Sequence, residues 1–83
     1  MKTYWVYILE CADKSYYTGV TGDLEQQLTD HQSGRFSESY THKRLPIKLV
    51  YSKEFTEIEQ AITFEKQIKG WSRKKKEAMI IGN

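Results

Sequence analysis

Sulfur is scarce in these 83 residues, which hold one cysteine, Cys11, and two methionines. A lone cysteine closes no intramolecular disulfide, and without Cys/His spacing it argues against a zinc module and fits a reducing compartment. Cys11 itself reads as a small apolar residue ending a strand rather than as a nucleophile. No run approaches the ~20 apolar residues that span a bilayer. Tyr4 to Leu9 is too short for a signal-peptide core and ends on Glu10. These absences lead us to expect a cytoplasmic protein with no membrane partner. Proline occurs once, and there is no repeat, low-complexity tract or linker, so one domain is expected to run over residues 1–83.

Aromatics are what the chain has instead: 13% of its residues, including six tyrosines and two tryptophans. A chain this short needs a staple or tight packing, and with no disulfide the aromatics must serve. Charge is nearly balanced at +2 but unevenly placed. Residues 1–65 carry seven Lys/Arg against ten Asp/Glu, whereas residues 66–83 carry six Lys/Arg and one Glu. All six cations fall between Lys66 and Lys76. A basic segment of that density, interrupted by Trp71, is where a polyanion would dock, or else a solvated helix end.

Tyr4 to Glu10, aromatic and β-branched, predicts a strand. Ala12-Asp13-Lys14 predicts a turn, and Ser15 to Thr18 a returning strand that Gly19 ends, letting a backbone or phosphate come close. Asp23 is placed to cap a helix with Gln26 at its third position, and Gly34 to stop it. Leu24, Gln27, Leu28 and His31 share one face of that helix, which should pack on the hairpin. Residues 35–46 have no periodicity and are expected to form a loop on the site side of the sheet. Ile47 to Ser52 predicts a third strand. Thr56 and Glu59 form a capping box before a helix whose inner face carries Ile58, Ala61, Ile62, Phe64 and Ile68. Gly70 ends it, and Ser72 caps a last helix reaching about Ile81. The fold class expected is α+β, a three-stranded antiparallel sheet flanked by helices in the order β-β-α-β-α-α.

Glu65 falls in the middle of the apolar stripe of its helix, a costly place for an unpaired carboxylate. Lys66 and Lys69 offer it a salt bridge; a metal ion would serve as well. Tyr7 and Tyr17 lie on facing strands, and each alone suits half-buried packing. A helix-end His31 alone is at home near the negative end of the dipole. Together with Glu65 they outline a polar pocket.

The motifs that these residues form resemble the GIY-YIG endonuclease superfamily, over essentially the whole chain. Val6-Tyr7-Ile8 stands where the family has its first triad, and Tyr17-Thr18-Gly19, ten residues on, for YIG. The segment from Asp23 to His31 resembles the family helix in which an arginine precedes a His or Tyr by four positions. Phe64-Glu65-Lys66-Gln67-Ile68-Lys69-Gly70-Trp71-Ser72-Arg73 resembles the later motif around the metal-binding glutamate. The resemblance is closest to small stand-alone bacterial members. It implies metal-assisted hydrolysis of nucleic-acid phosphodiesters, DNA first among them. Tyr7 would act as or assist the general base, Tyr17 would orient water and phosphate, and His31 would contact phosphate or shuttle a proton. Glu65 would hold one divalent ion, magnesium or manganese. Lys69, Trp71, Arg73, Lys74, Lys75, Lys76 and Arg44 would contact nucleic acid.

One position departs from the pattern. Gln27 stands where the family has its arginine, and Gln26 beside it does not rescue the register. Guanidinium brings a permanent charge and a bidentate fork, whereas an amide donates two hydrogen bonds and no charge. Arg35 and Arg44 are the arginines nearest in sequence. The alternative to a nuclease is therefore a degenerate module that binds nucleic acid through the basic segment and Trp71 without cutting it. A protein-interaction module finds no positive sign, and no protein partner is implied.

Overall fold

The computed structural model describes residues 2–33 and 45–82. Strands β1 (Tyr4–Glu10), β2 (Tyr16–Thr21) and β3 (Lys48–Phe55) form one antiparallel sheet in the order β2-β1-β3. Helices α1 (Leu24–Gln32), α2 (Ile58–Lys69) and α3 (Arg73–Ile81) complete the expected β-β-α-β-α-α order. The expected α+β architecture is the observed one.

The central place of β1 follows from its composition. Val6, Tyr7, Ile8 and Leu9 are all buried, which only a strand covered on both faces permits. Alternation then sorts them. Val6 and Ile8 join Ala61 and Ile68 of α2 in one core, with Val20, Trp71, Met79 and Ile80 packed around them. Tyr7, Leu9 and Cys11 join Ile47 in a second core, against which Tyr17, Leu24 and Leu28 pack. Cys11 is thus the small apolar strand-end residue expected.

The β1–β2 hairpin turns through Ala12-Asp13-Lys14. The Cys11 carbonyl accepts from Lys14 N at 2.9 Å, and Asp13 Oδ1 accepts from Ser15 N at 3.1 Å. Asp23 caps α1 as expected, its Oδ1 accepting from Gln26 N at 3.1 Å. Ser72 caps α3 by accepting from Lys75 N at 3.3 Å, and Gly82 at φ 96° closes it in the left-handed region open to glycine.

Several local expectations are corrected. Strand β2 runs through Gly19 to Thr21, since Gly19 pairs with Tyr7 and Val20 still reaches the core. Strand β3 runs to Phe55 because Tyr4 and Trp5 offer pairing partners to Phe55 and Glu54. The α2 capping box does not form: Glu57 is the N-cap and makes no side-chain capping hydrogen bond. Ile58 and Ile62 are 40% and 36% exposed, so the apolar stripe is wider than the face that the sheet covers. Helix α1 ends at Gln32 with Ser33 as its cap. The expected stop at Gly34, and all of the expected loop but Leu45 and Pro46, lie outside the described residues, as do Arg35 and Arg44.

Candidate nucleic-acid active site

Each side chain of the expected cluster is delivered by a different constraint. Tyr7 points to the α1 face because Val6 and Ile8 point away from it. Two residues along the same face of β2, Tyr17 sits diagonally across from it, since Tyr7 pairs with Gly19 and Leu9 with Tyr17. Gln27 and His31 are one helical turn apart on α1, held over the sheet by Leu24 and Leu28.

The four meet. The Tyr7 hydroxyl lies 3.4 Å from His31 Nε2, and Gln27 Nε2 lies 3.4 Å from the same nitrogen. The His31 ring stands edge-on to both tyrosines, with centroids 6.3 Å from Tyr7 and 5.4 Å from Tyr17. The two phenol rings are 6.4 Å apart. Tyr7 is 1% exposed and His31 2%. With the imidazole neutral and its proton on Nδ1, the one lone pair of Nε2 is shared between the hydroxyl and the amide.

Burial sets the titration of both groups. It pushes the Tyr7 phenol up to about 12, with a further push from Tyr17 and, least, from the Glu65 carboxylate; a hydrogen bond with Gln27 acts the other way. Burial also lowers His31, against a smaller opposing pull from Asp30. At neutral pH the pair is therefore a protonated phenol beside an uncharged imidazole.

Gly19 is what lets Tyr7 lie here. A Cβ at Gly19 would stand 2.5 Å from the Tyr7 hydroxyl oxygen and 2.6 Å from Cζ, so any side chain evicts the ring. Gly19 neither ends the strand nor serves the close approach of a backbone or phosphate that its small size suggests. Its true neighbour is the tyrosine opposite, and pairing the two triads in antiparallel register would have found it.

Glu65 is nearly covered, with a side chain 12% exposed, and it pairs with Lys69 one turn on at 3.5 Å. The expected salt bridge to Lys69 is present. The carboxylate still bears on the site, since its charge acts on the Tyr7 phenol. Among the described residues, no three His, Cys, Asp or Glu side chains converge as a metal cage. A single hard carboxylate fits magnesium or manganese, ions that keep several waters and take further ligands from substrate phosphate.

The basic segment divides. Arg73 stacks on Tyr16 at 4.4 Å, donates to the Lys14 carbonyl and faces Glu77 at 3.8 Å. Lys75 covers the Trp71 ring at 4.4 Å, so Trp71, half-buried against the first core, has a cation on its face already. Lys74 is exposed. Lys69 and Lys76 instead line a groove with Tyr16, Tyr17 and Thr18. Arg44 lies outside the described residues.

The GIY-YIG catalytic domain family model matches residues 3–78. The chain belongs to the GIY-YIG family. A UPF0213 protein of Syntrophus aciditrophicus is 41% identical over 83 residues, covering 100% of this chain and 95% of its own length. A UPF0213 protein of Streptococcus pneumoniae is 40% identical over 79 residues, covering 95% and 79%. The solution structure of the UPF0213 protein BH0048 from Bacillus halodurans superposes with TM-score 0.61 at 41% identity, over 94% of this chain and 82% of that one. That of EF2693 from E. faecalis gives 0.65 at 31% identity, over 96% and 84%. These names state no activity. Family membership makes the fold nuclease-type and implies an interaction with nucleic acid in general. No described helix is long and apolar enough to cross a membrane.

Proposed function

We propose that this GIY-YIG site hydrolyses nucleic-acid phosphodiesters, DNA first among them, in a reaction assisted by one magnesium or manganese ion at Glu65. The observation that carries the reading is the convergence of the Tyr7 hydroxyl and the Gln27 amide on His31 Nε2, each at 3.4 Å. Tyr17 borders the same space, and Glu65 bears on it electrostatically.

The titration directions shape the proton path. A phenol pushed up to about 12 is not a phenolate at neutral pH, so Tyr7 alone is a poor base. Neutral His31, its basicity reduced by burial, receives the Tyr7 proton on Nε2 as Tyr7 takes one from water. The base is thus the Tyr7–His31 pair. Tyr17 orients the water and the scissile phosphate. Glu65 holds the metal ion, whose charge, when bound, offsets that developing on phosphate oxygens.

Gln27 stands at the position of the family arginine, beside His31, and offers N–H donors without charge. One missing donor to a developing anion costs ~10²–10³ in rate, and a missing cationic clamp in phosphoryl transfer roughly 10³–10⁵. The chain is therefore a slow nuclease. The second reading, a binding module that no longer cuts, is favoured by the same uncharged Gln27 together with the cationic α3.

The test is cleavage of duplex, nicked, forked and single-stranded DNA with magnesium or manganese, beside Gln27→Arg and Glu65→Ala. Slow metal-dependent cutting that Gln27→Arg accelerates and Glu65→Ala abolishes is the expected result. Binding without cutting by the wild type and Gln27→Arg would move the chain to the second reading.

A further inference from the structure

A groove beside Tyr17 lies outside the Tyr7–His31 cluster. It holds about 330 Å³ between the edge strand β2 and helices α2 and α3, and its walls are Tyr16, Tyr17, Thr18, Lys69 and Lys76. Tyr17 belongs to both places: its ring contacts His31 in the cluster and it lines the groove. The other wall residues of β2, Tyr16 and Thr18, alternate to the α2 side.

Three observations give the groove a chemical character. Its two cations come from different helices and converge there only through the fold. Among the described residues, Arg73 is engaged by Tyr16, Glu77 and the Lys14 carbonyl and Lys75 by the Trp71 ring, whereas Lys69 meets Glu65 at 3.5 Å but stays largely exposed, and no carboxylate stands within ion-pair distance of Lys76. The Thr18 hydroxyl is buried with no hydrogen-bond partner, an uncommon state for a polar atom. A groove with two lysines and an unsatisfied hydroxyl, next to a residue of the catalytic cluster, is suited to an anion.

We propose that this groove is a phosphate subsite, in which Lys69, Lys76 and the Thr18 hydroxyl hold the nucleic-acid backbone phosphate next to the one cleaved. The proposal rests on the nuclease reading for the identity of its ligand. It also divides four of the segment's six cations: Lys69 and Lys76 bind backbone, whereas Arg73 and Lys75 brace Tyr16 and Trp71. The subsite lends the substrate the positive charge that Gln27 does not, displaced from the scissile bond to its neighbour. It positions the strand rather than stabilising the transition state, so it serves affinity more than rate.

Two measurements test it. In the first, ¹⁵N-labelled protein is titrated with inorganic phosphate and then with a short single-stranded DNA. Amide shifts centred on Thr18, Lys69 and Lys76 are expected with both. In the second, DNA affinity is measured against salt for the wild type, a Lys69→Gln/Lys76→Gln variant, Thr18→Val and a Lys48→Gln control on the opposite edge strand. Losing two phosphate contacts flattens the slope of log K against log salt by about 1.4 on single strands or about 1.8 on duplex, while the control keeps the wild-type slope. Thr18→Val preserves shape and removes a hydroxyl with no protein partner, so it should fold with an unchanged or higher Tm yet bind phosphate several-fold more weakly. A double variant with the wild-type slope, or phosphate shifts elsewhere on the surface, overturns the subsite and leaves the nuclease reading standing. Groove shifts with phosphate but no affinity for DNA keep the anion site and overturn its assignment to a nucleic-acid backbone.

Discussion

The two faces of the sheet use the same strand for opposite ends. On one, Val6 and Ile8 meet Ala61 and Ile68 in an apolar core. On the other, Tyr7 and Leu9 meet a helix whose inward face carries Leu24 and Leu28 beside Gln27 and His31. The first face is closed by α2 and α3 and holds the apolar core. The second buries a phenol and an imidazole at 1% and 2% exposure, a placement that shifts both titrations and that close packing alone does not require. In a domain this small, chemistry and core are separated by one residue of strand alternation.

That division predicts which substitutions break folding and which break function. The largest effect belongs to the packed face. Ile8→Ala should lower stability by about 2–5 kcal/mol in chemical denaturation, and any activity should be lost only in step with folding. If the same change spared stability but removed cleavage, the two faces would not be separable.

Next is Gln27→Arg on the site face, expected to raise cleavage by ~10²–10³ or more while moving the denaturation midpoint little, because Gln27 is only half-buried. Gly19→Ala should cost about 1–3 kcal/mol, since its Cβ drives against the Tyr7 ring, and it should abolish whatever activity Tyr7 supports. Added to Tyr7→Ala, which itself costs the loss of a buried ring, Gly19→Ala should bring little further loss of stability, and that non-additivity would show that the clash is with that ring.

The smallest effect is the pH dependence of stability. A His31 titration lowered by burial means the unfolded chain binds more protons than the folded one below the ordinary value of 6.5. Stability is therefore full above that pH and declines as pH falls toward the lowered folded value. Tyr7 acts at the other end. Between its ordinary value of 10.0 and about 12 the folded chain keeps a proton that the unfolded chain has released, so stability falls as pH rises through that window. Thermal melts across pH check both: His31→Gln should flatten the acid limb and Tyr7→Phe the alkaline one.

Much of the architecture was legible because it depends on local chemistry. The strand Tyr4–Glu10 announces itself by an apolar run, and Asp23, Ser72 and Gly70 mark helix ends through groups within a turn of themselves. Local signals misled where a longer-range partner decided. Thr56 and Glu59 form a good capping box on paper, yet the chain enters α2 at Glu57. Ile58 and Ile62 have the right period but no sheet above them. Trp71 looked available for stacking until α3 laid Lys75 across it.

By itself, the sequence determined the order of elements, the family, and the identity of the residues that meet in the cluster. Periodicity, caps and two tyrosine triads at a fixed spacing are properties of a chain read in one dimension. Only the tertiary structure decided that Gly19 makes room for Tyr7, that His31 receives both the phenol and the Gln27 amide, and that Lys69 and Lys76 share a groove with Thr18. Such contacts depend on strand register and on the angle at which helices cross a twisted sheet. Both are set by the sum of many packing interactions rather than by any residue's neighbours in sequence.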